Sequence, residues 1–346
     1  MTLPELFETD QILNFLHNVL VKQDLKKDDL PFRHSKATSY VNQYYLCVVV
    51  EFLIKYHILH QGSQDIFSFA SQLEQVFQTS PNYKTFLIQS NRLLATSIQQ
   101  KLQLSDQLSV ENKKKILAYA YEHYIQNGYC FHSIPSSLED VIKKDGLSKK
   151  EGYPLSDQII KIDHIFEKYG IDNIFGIEPE FQKKEYFEIT DSPSMAFFHA
   201  LETPMYFCYF TSYSNLEDDS MNQDAYYLKS MELCSNNIEL LCNKKGLTDQ
   251  EKDTVMNYFH EQWKLLDASN LVPMIVLMKR KVVGRDFLKD YDEIMKYCDE
   301  QDIIYSLSKI MDSRYPNDRR YTKIIPAELE ICKFPSYERI MTYEKN

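Results

Sequence analysis

Glycine is scarce in this sequence, and no two glycines lie close together. The 346 residues include only 8 glycines, where a typical content of roughly 7% would give about 24. The closest pairs, Gly146 with Gly152 and Gly170 with Gly176, are six residues apart. Rossmann dinucleotide loops, P-loops and the nucleophile elbow of hydrolases all need glycines at closer spacings. The sequence therefore excludes these three kinds of site.

The charge balance and the cysteines indicate a cytoplasmic protein. Lys and Arg number 39 and Asp and Glu number 50, which gives a net charge of −11 and argues against a general nucleic-acid binder. The nearest two of the seven cysteines, Cys234 and Cys242, are eight residues apart. That spacing excludes a C-x-x-C zinc or redox pair and is typical of reduced, buried thiols. The N-terminus is acidic, and the apolar runs are too short for a membrane span.

Helical patterns dominate residues 1–112, where only one glycine occurs. Residues 40–60 are apolar with helical spacing, and Gly62 fits the cap at the end of that helix. Residues 80–82 (Ser-Pro-Asn) separate two further helical patterns. We therefore predict an all-helical domain of four or five antiparallel helices over residues 1–112.

Short strand patterns appear among the helices after about residue 127. Residues 129–132 alternate in polarity, residues 273–279 are typical of a buried strand, and residues 322–333 indicate a strand pair or one long strand. Two helices are predicted within residues 215–270, the second of which starts at the capping box Thr248-x-x-Glu251. A short strand at residues 186–190 and a helix at residues 286–298 are also predicted. The expected fold class is α+β, with the helical domain followed by a domain with a small mixed or antiparallel sheet over residues 113–346. Residues 215–270 would be a helical insertion in that second domain.

Three segments of the second domain form an ordered set of motifs. Residues 128–133 (GYCFHS) precede a short helix that ends at Asp145-Gly146-Leu147. Residues 187–196 (FEITDSPSMA) lead into a further helix, and residues 325–331 (IPAELEI) lie near the C-terminus. In this order the segments resemble the histidine-bearing branches of the ADP-ribosyltransferase superfamily. Those branches combine a strand with an aromatic-His-small triplet, a strand ending in Thr or Ser before an alanine-rich helix, and a late strand with Glu.

The resemblance implies an ADP-ribosyltransferase-like domain that uses NAD as its substrate and needs no metal. Such an enzyme transfers ADP-ribose to an acceptor or hydrolyses NAD. Because of the net negative charge, a protein acceptor is expected rather than a nucleic acid, and no membrane partner is expected. The usual aromatic residue that stacks on nicotinamide has no clear counterpart here, and Tyr206 or Phe197 is the candidate.

The catalytic carboxylate implied by the resemblance is Glu328 or Glu330. Cleavage of the nicotinamide–ribose bond builds positive charge on the sugar, and a nearby carboxylate stabilises that charge. Because the two acids are two residues apart, we expect them to share one face of a strand. Which of the two is catalytic stays open.

The resemblance also implies a set of cofactor-binding residues. His132 would bind a ribose hydroxyl, with Ser133 next to it, while Thr190 and Ser192 would brace the pocket. Arg280, after the strand at residues 273–279, would contact the pyrophosphate.

Simpler interpretations compete with these assignments. His132 can be a partly buried structural histidine, the two glutamates a solvated strand edge, and residues 191–193 (Asp-Ser-Pro) a helix start. The alternative function is a non-catalytic helical interaction or regulatory protein, of the partner-binding or immunity type. Glu51, His57 and His60 share one helical stretch but do not form H-E-x-x-H, so no metal site is predicted there.

Overall fold

The computed structural model has many helices and a small antiparallel sheet. No helix in the part of the chain that it describes is both long and apolar enough to cross a membrane. The described residues are 2–21, 38–61, 65–105, 109–134, 139–148, 157–172, 174, 189–202, 231–265, 273–279, 302–311, 323–335 and 337–343.

The first third of the chain is helical wherever it is described, as predicted. The helices are α1 (Leu3–Phe7), α2 (Asp10–Val21), α3 (Thr38–His60), α4 (Ile66–Thr79), α5 (Tyr83–Lys101) and α6 (Val110–Ala120), which continues as a π-helical turn over Tyr121–Gln126. Asn82 accepts a hydrogen bond from the N–H of Thr85 at the start of α5, and Ser109 accepts one from Asn112 at the start of α6. The predicted break at residues 80–82 therefore lies between α4 and α5, where local capping stabilises the new helix.

Helix α3 forms the centre of the helical region. Residues 45–50 and 52–56 are all buried, so its apolar surface extends around the helix instead of forming one stripe. It contacts α2, α4 and α5. After its last residue, Gln61 adopts a left-handed conformation with φ of 54°. The predicted cap, Gly62, lies outside the described residues.

The main sheet has three antiparallel strands. These are β1 (Tyr129–Ile134), β3 (Met274–Lys279) and β5 (Leu329–Lys333), with β3 in the centre. His132 is opposite Val276, which is opposite Ile331 on β5. Strands β2 (Leu147–Ser148) and β4 (Lys323–Ile324) form a second small sheet. Helix α7 (Glu139–Asp145) precedes β2, and a 3-10 turn (Pro326–Glu328) joins β4 to β5.

The remaining helices lie between and after these strands. They are α8 (Asp157–Glu167), α9 (Pro193–Glu202), α10 (Met231–Lys245), α11 (Asp249–Leu265), α12 (Ile303–Met311) and α13 (Tyr337–Met341). The prediction of two helices within residues 215–270 is confirmed by α10 and α11. Thr248 and Glu251 form the capping box of α11, in which the N–H of each residue donates a hydrogen bond to a side-chain oxygen of the other. A further helix predicted at residues 286–298 lies outside the described residues.

Each face of the main sheet is covered by a different hydrophobic cluster. The face that carries Phe131, Leu277 and Cys332 joins the large cluster formed with the helices, and we call it the helical face. The opposite face carries Cys130 and Val276 in a smaller cluster with residues of α7, β2 and β4, and we call it the outer face. The sheet is therefore a layer between the helices on one side and a small group of elements, α7, β2 and β4, on the other.

The large cluster contains residues from both sides of the predicted boundary at 112 and 113. It includes side chains of α1 to α6 together with side chains of α9, α12, α13 and the helical face. The rings of Phe7 and Phe334 lie 4.6 Å apart, and the rings of Phe197 and Phe334 lie 4.7 Å apart. Hydrophobic packing therefore connects the two predicted domains.

Helices α8, α10 and α11 pack mainly on one another. α11 contacts both α8 and α10, and their buried side chains belong to neither of the two sheet clusters. Lys168 and Tyr169, which follow α8, both donate hydrogen bonds to Glu251 of α11. The predicted insertion therefore packs against α8, a partner that lies outside residues 215–270.

Candidate functional site

The first two motif segments lie side by side. The N–H of Phe131 donates to the carbonyl oxygen of Thr190, and the N–H of Thr190 donates to the carbonyl oxygen of Phe131, both at 2.8 Å. This isolated antiparallel bridge places residue 190 at the free edge of β1. The strand predicted at residues 186–190 is thus represented by this one pairing, because residues 186–188 lie outside the described part of the chain.

The third motif segment enters the same sheet two positions away, through β5. The prediction that Glu328 and Glu330 share one strand face is wrong. Glu328 ends the 3-10 turn, where its N–H donates to the carbonyl oxygen of Ile325, and only Glu330 lies within the strand. Pro326 at the first position of the turn favours this conformation because its φ is fixed near the helical value. Both glutamates are exposed.

The sheet register separates the predicted site residues onto two faces. Residues directly opposite each other in an antiparallel ladder share a face, and neighbours along a strand point to opposite faces. His132 is opposite Val276 and so lies on the outer face. Ser133 is opposite Ile275, Glu330 is opposite Leu277 and Thr190 is opposite Phe131, so these three belong to the helical face.

Of the two glutamates, Glu328 belongs to a turn that packs near the outer face, the face that carries His132. Its turn contacts α7, whose Ile142 packs in the cluster on the outer face. Lys333 of β5 also forms an ion pair with Glu139 of α7 at 2.5 Å. These contacts hold α7 against the outer face, beside the turn that carries Glu328.

Ser192 is engaged at the N-terminus of α9. Its hydroxyl donates to Glu51 Oε2 at 3.3 Å and lies 3.0 Å from the hydroxyl of Ser194, while the N–H of Ser194 donates to the same Glu51 oxygen at 3.2 Å. The N–H of Met195 donates to the Ser192 hydroxyl at 3.4 Å. The capping interpretation of residues 191–193 is therefore confirmed, but the carboxylate of a distant helix contributes to the cap.

The contact of Glu51 with α9 is a role that the sequence interpretation did not assign to this residue. Glu51 forms an ion pair with Lys55 one turn further along α3, and the side chains of both are largely buried. Burial raises the pKa of Glu51, but the Lys55 ammonium and the hydrogen bonds from Lys55 and Ser194 together lower it below its ordinary value. An acid and a base four residues apart in an otherwise apolar helix were the available signal.

A second buried contact ties the Thr190 segment to β1. The thiol of Cys130 donates to Asp191 Oδ1 at 3.2 Å, and the hydroxyl of Tyr124 donates to the Asp191 carbonyl oxygen at 3.4 Å. Asp191 is fully buried. Cys130 and His132 share the outer face. This contact therefore holds Asp191 beside Cys130, two residues before His132.

The remaining residues of the resemblance are either buried in the core or outside the described part of the chain. Phe197 is buried in the large cluster and packs against Phe334, so it is unavailable for stacking on nicotinamide. Met195, in the first turn of the same helix, is 41% exposed. Arg280 and Tyr206 lie outside the described residues.

An open groove lies elsewhere, between α8 and α11. Its walls include Lys161, His164, Lys168, Thr248 and Glu251, and none of the predicted site residues lines it. Hydrogen bonds from Tyr169, Lys168 and Thr248 lower the pKa of Glu251 to about 2. Glu251 thus accepts hydrogen bonds from residues at the end of α8 and at the start of its own helix, and it links α8 to α11.

The described residues contain no group of three or more His, Cys, Asp or Glu side chains arranged to hold a metal ion. Five of the seven cysteines are described, and these five are buried and free of disulfides. No protein-family model matches the sequence. No curated protein and no solved structure matches the chain either.

Proposed function

We propose that this chain binds NAD and cleaves its nicotinamide–ribose bond, transferring ADP-ribose to an acceptor or to water. The pairing of Phe131 with Thr190 is the observation that supports this most, because it joins the first two segments of the resemblance edge to edge. The third segment belongs to the same sheet through β5. Three segments that are far apart in the sequence thus meet at one sheet.

The proposed chemistry gives His132 and Glu328 separate roles at the ribose of the reacting bond. The bond between ribose C1′ and the nicotinamide nitrogen breaks, and its electron pair leaves with neutral nicotinamide. The acceptor's oxygen or nitrogen then bonds to C1′ and loses a proton. His132 binds a ribose hydroxyl, and Glu328 stabilises the positive charge on the sugar. Glu328 is preferred to Glu330 because its turn contacts α7, which covers the face that carries His132.

The remaining predicted residues take supporting roles in this proposal. Thr190 and Ser192 position the segment at the edge of β1 through their hydrogen bonds and do not contact NAD directly. Ser133 and Arg280 stay predicted contacts of the cofactor. The acceptor is proposed to be a protein in the cytoplasm, because the net charge of −11 opposes approach to nucleic acid.

Incubation with NAD, followed by chromatographic measurement of free nicotinamide, tests the proposal. We expect His132→Ala and Glu328→Gln to lower the rate by about 100-fold, a typical cost of losing one charge-stabilising or substrate-orienting group. Glu330→Gln tests the choice of carboxylate and is expected to cost far less. His164→Ala, in the exposed part of α8, is the control for loss of a histidine. Full activity of a folded His132→Ala variant would contradict the assignment of His132.

A non-catalytic interaction protein is the second candidate. It is favoured by the separation of His132 from Ser133, Thr190 and Glu330 onto opposite faces of the sheet. In this function the sheet, together with α7, β2 and β4 on its outer face, is a scaffold. If the wild-type chain neither releases nicotinamide nor gains thermal stability with excess NAD, the second candidate replaces the first, since any ligand of the folded state raises the melting temperature.

A further inference from the structure

We propose that Glu51 of α3 is a positioning residue for the NAD site, acting through the N-terminus of α9. This inference rests on the proposed function for its catalytic part. It makes the N-terminal helices part of the site, although the resemblance covers only the chain from about residue 127 onward. Glu51 touches neither His132 nor Glu328 in this role. Its effect is on the segment that pairs with the His132 strand.

The contact between Glu51 and α9 spans 141 positions along the chain. One carboxylate oxygen accepts both the hydroxyl of Ser192 and the N–H of Ser194. The first N–H groups of a helix have no partner within the helix, and its N-terminus carries partial positive charge. A carboxylate that is fixed there therefore determines where the first turn of α9 lies.

The buried setting gives this contact its rigidity. Lys55 is 4% exposed and lies over the ring of Phe52 at 5.4 Å, so the ammonium is packed against the helix that carries its partner. Because Lys55 binds the other carboxylate oxygen, Glu51 has one oxygen left for α9. A buried acid with these partners has few alternative rotamers, in contrast to a surface acid.

Hydrogen bonds connect the N-terminus of α9 to β1 on both faces of the sheet. The N–H of Ser192 donates to Thr190 Oγ1 at 3.0 Å, and Thr190 forms two backbone hydrogen bonds with Phe131. Asp191, between them, accepts the thiol of Cys130. A shift of the first turn of α9 therefore moves residues 190 and 191 against Phe131 and Cys130, the two strand residues that precede His132.

Two double variants of the full-length chain separate the hydrogen bonds from the buried charge. Glu51→Gln with Lys55→Met removes both charges but keeps a side-chain oxygen for Ser194. Glu51→Leu with Lys55→Met removes that acceptor as well. The matched control is Glu111→Gln with Lys115→Met, because this pair has the same spacing on α6 but is exposed. Each variant is measured by amide hydrogen exchange and by NAD turnover at several NAD concentrations.

In the variant Glu51→Leu with Lys55→Met, we expect the amide hydrogens of residues 129–134 and 192–196 to exchange about 10-fold faster than in the wild type. We also expect kcat to fall at least about 10-fold, while KM for NAD changes much less. The Gln-Met variant and the exposed-pair control are expected to retain both properties. Loss of global stability alone would leave kcat per folded molecule unchanged, and that result would overturn the positioning role. Equal amide protection in the two Glu51 double variants, with Leu and with Gln at position 51, would also overturn it. If no variant and no wild type turns over NAD but the exchange difference is present, the positioning of α9 stands and the proposed reaction fails.

Discussion

At the scale of single residues, His60 has two contacts within the helical region. Its ring stacks on Tyr56 with 4.2 Å between centroids, and its Nε2 lies 3.0 Å from the hydroxyl of Ser97. Because that hydroxyl donates to the carbonyl oxygen of Leu94, it accepts from His60, which places the imidazole proton on Nε2. The Nε2–H of the imidazole therefore has a hydrogen-bond acceptor inside the helical region.

This environment makes the stability of the protein sensitive to acid. Burial, and then the positive charge of Lys101, lower the pKa of His60 from 6.5 to about 4. The unfolded chain thus binds one more proton than the folded chain between these values. The stabilisation is complete above pH 6.5 and is lost as the pH falls towards 4.

His60→Gln should remove this pH dependence. Urea unfolding between pH 7.5 and 4 is expected to show that the stability advantage of the wild type over the variant shrinks by roughly 2 kcal/mol, less than the full shift implies because of solvent screening. His164→Gln, at an exposed imidazole, is the control. An advantage that stays constant over this pH range would contradict the assigned environment of His60.

At the scale of elements, the helix ends are determined by short-range chemistry, and Gly146 is the clearest case. It follows α7 with a φ of 81°, the left-handed region that glycine enters without steric cost. A methyl group on its Cα would lie 2.2 Å from the carbonyl oxygen of Ile324 and 3.1 Å from Pro326. The same glycine thus ends a helix and allows β4 and the 3-10 turn to approach.

Comparison of Gly146→Ala with Gly170→Ala separates these two roles. Gly170 has a φ of 77°, but a methyl group there would have no atom within 4 Å. We expect Gly170→Ala to cost about 1 kcal/mol from the backbone conformation alone. Gly146→Ala is expected to cost about 3 kcal/mol or more, because the backbone at Ile324 must also move. Equal losses in denaturant unfolding would show that the close approach at Gly146 carries no energy.

At the scale of the whole molecule, the large hydrophobic cluster links the helical third to the sheet. Phe86 of α5 and Leu277 of β3 both belong to it, and α12 near the C-terminus contacts both α5 and α6. Residues that share a continuous core generally unfold together. The packing therefore favours one cooperative unit over two independent domains, while α8, α10 and α11 form a separate packing group.

Core truncations followed by hydrogen exchange test this cooperativity. Phe86→Ala is expected to cost about 3–5 kcal/mol and to lower the protection of amides in β1 and β3 as well as in α5. Leu241→Ala in α10 is the matched core truncation outside the cluster, and it should lower protection mainly in α8, α10 and α11. If Phe86→Ala leaves β3 fully protected, residues 1–112 fold as an independent domain, as the sequence pattern predicts.

Much of the local structure could be predicted from the sequence. The break between α4 and α5, the start of α9 at Pro193, the capping box of Thr248 and Glu251 and the strands β1 and β3 all match the sequence patterns. Each of these features depends on residues within a few positions of one another, so the determining interactions can be recognised in a short window.

The faces and partners of the candidate site were decided by tertiary structure. Pro326 turns the chain before β5, so Glu328 leaves the strand face of Glu330, and the pairing with β3 assigns His132 and Glu330 to opposite sides. Glu51 reaches α9 only because α3 and α9 pack together. Sequence patterns specify which side chains point the same way within one element. Which elements meet, and in which register, depends on burying the whole apolar surface at once.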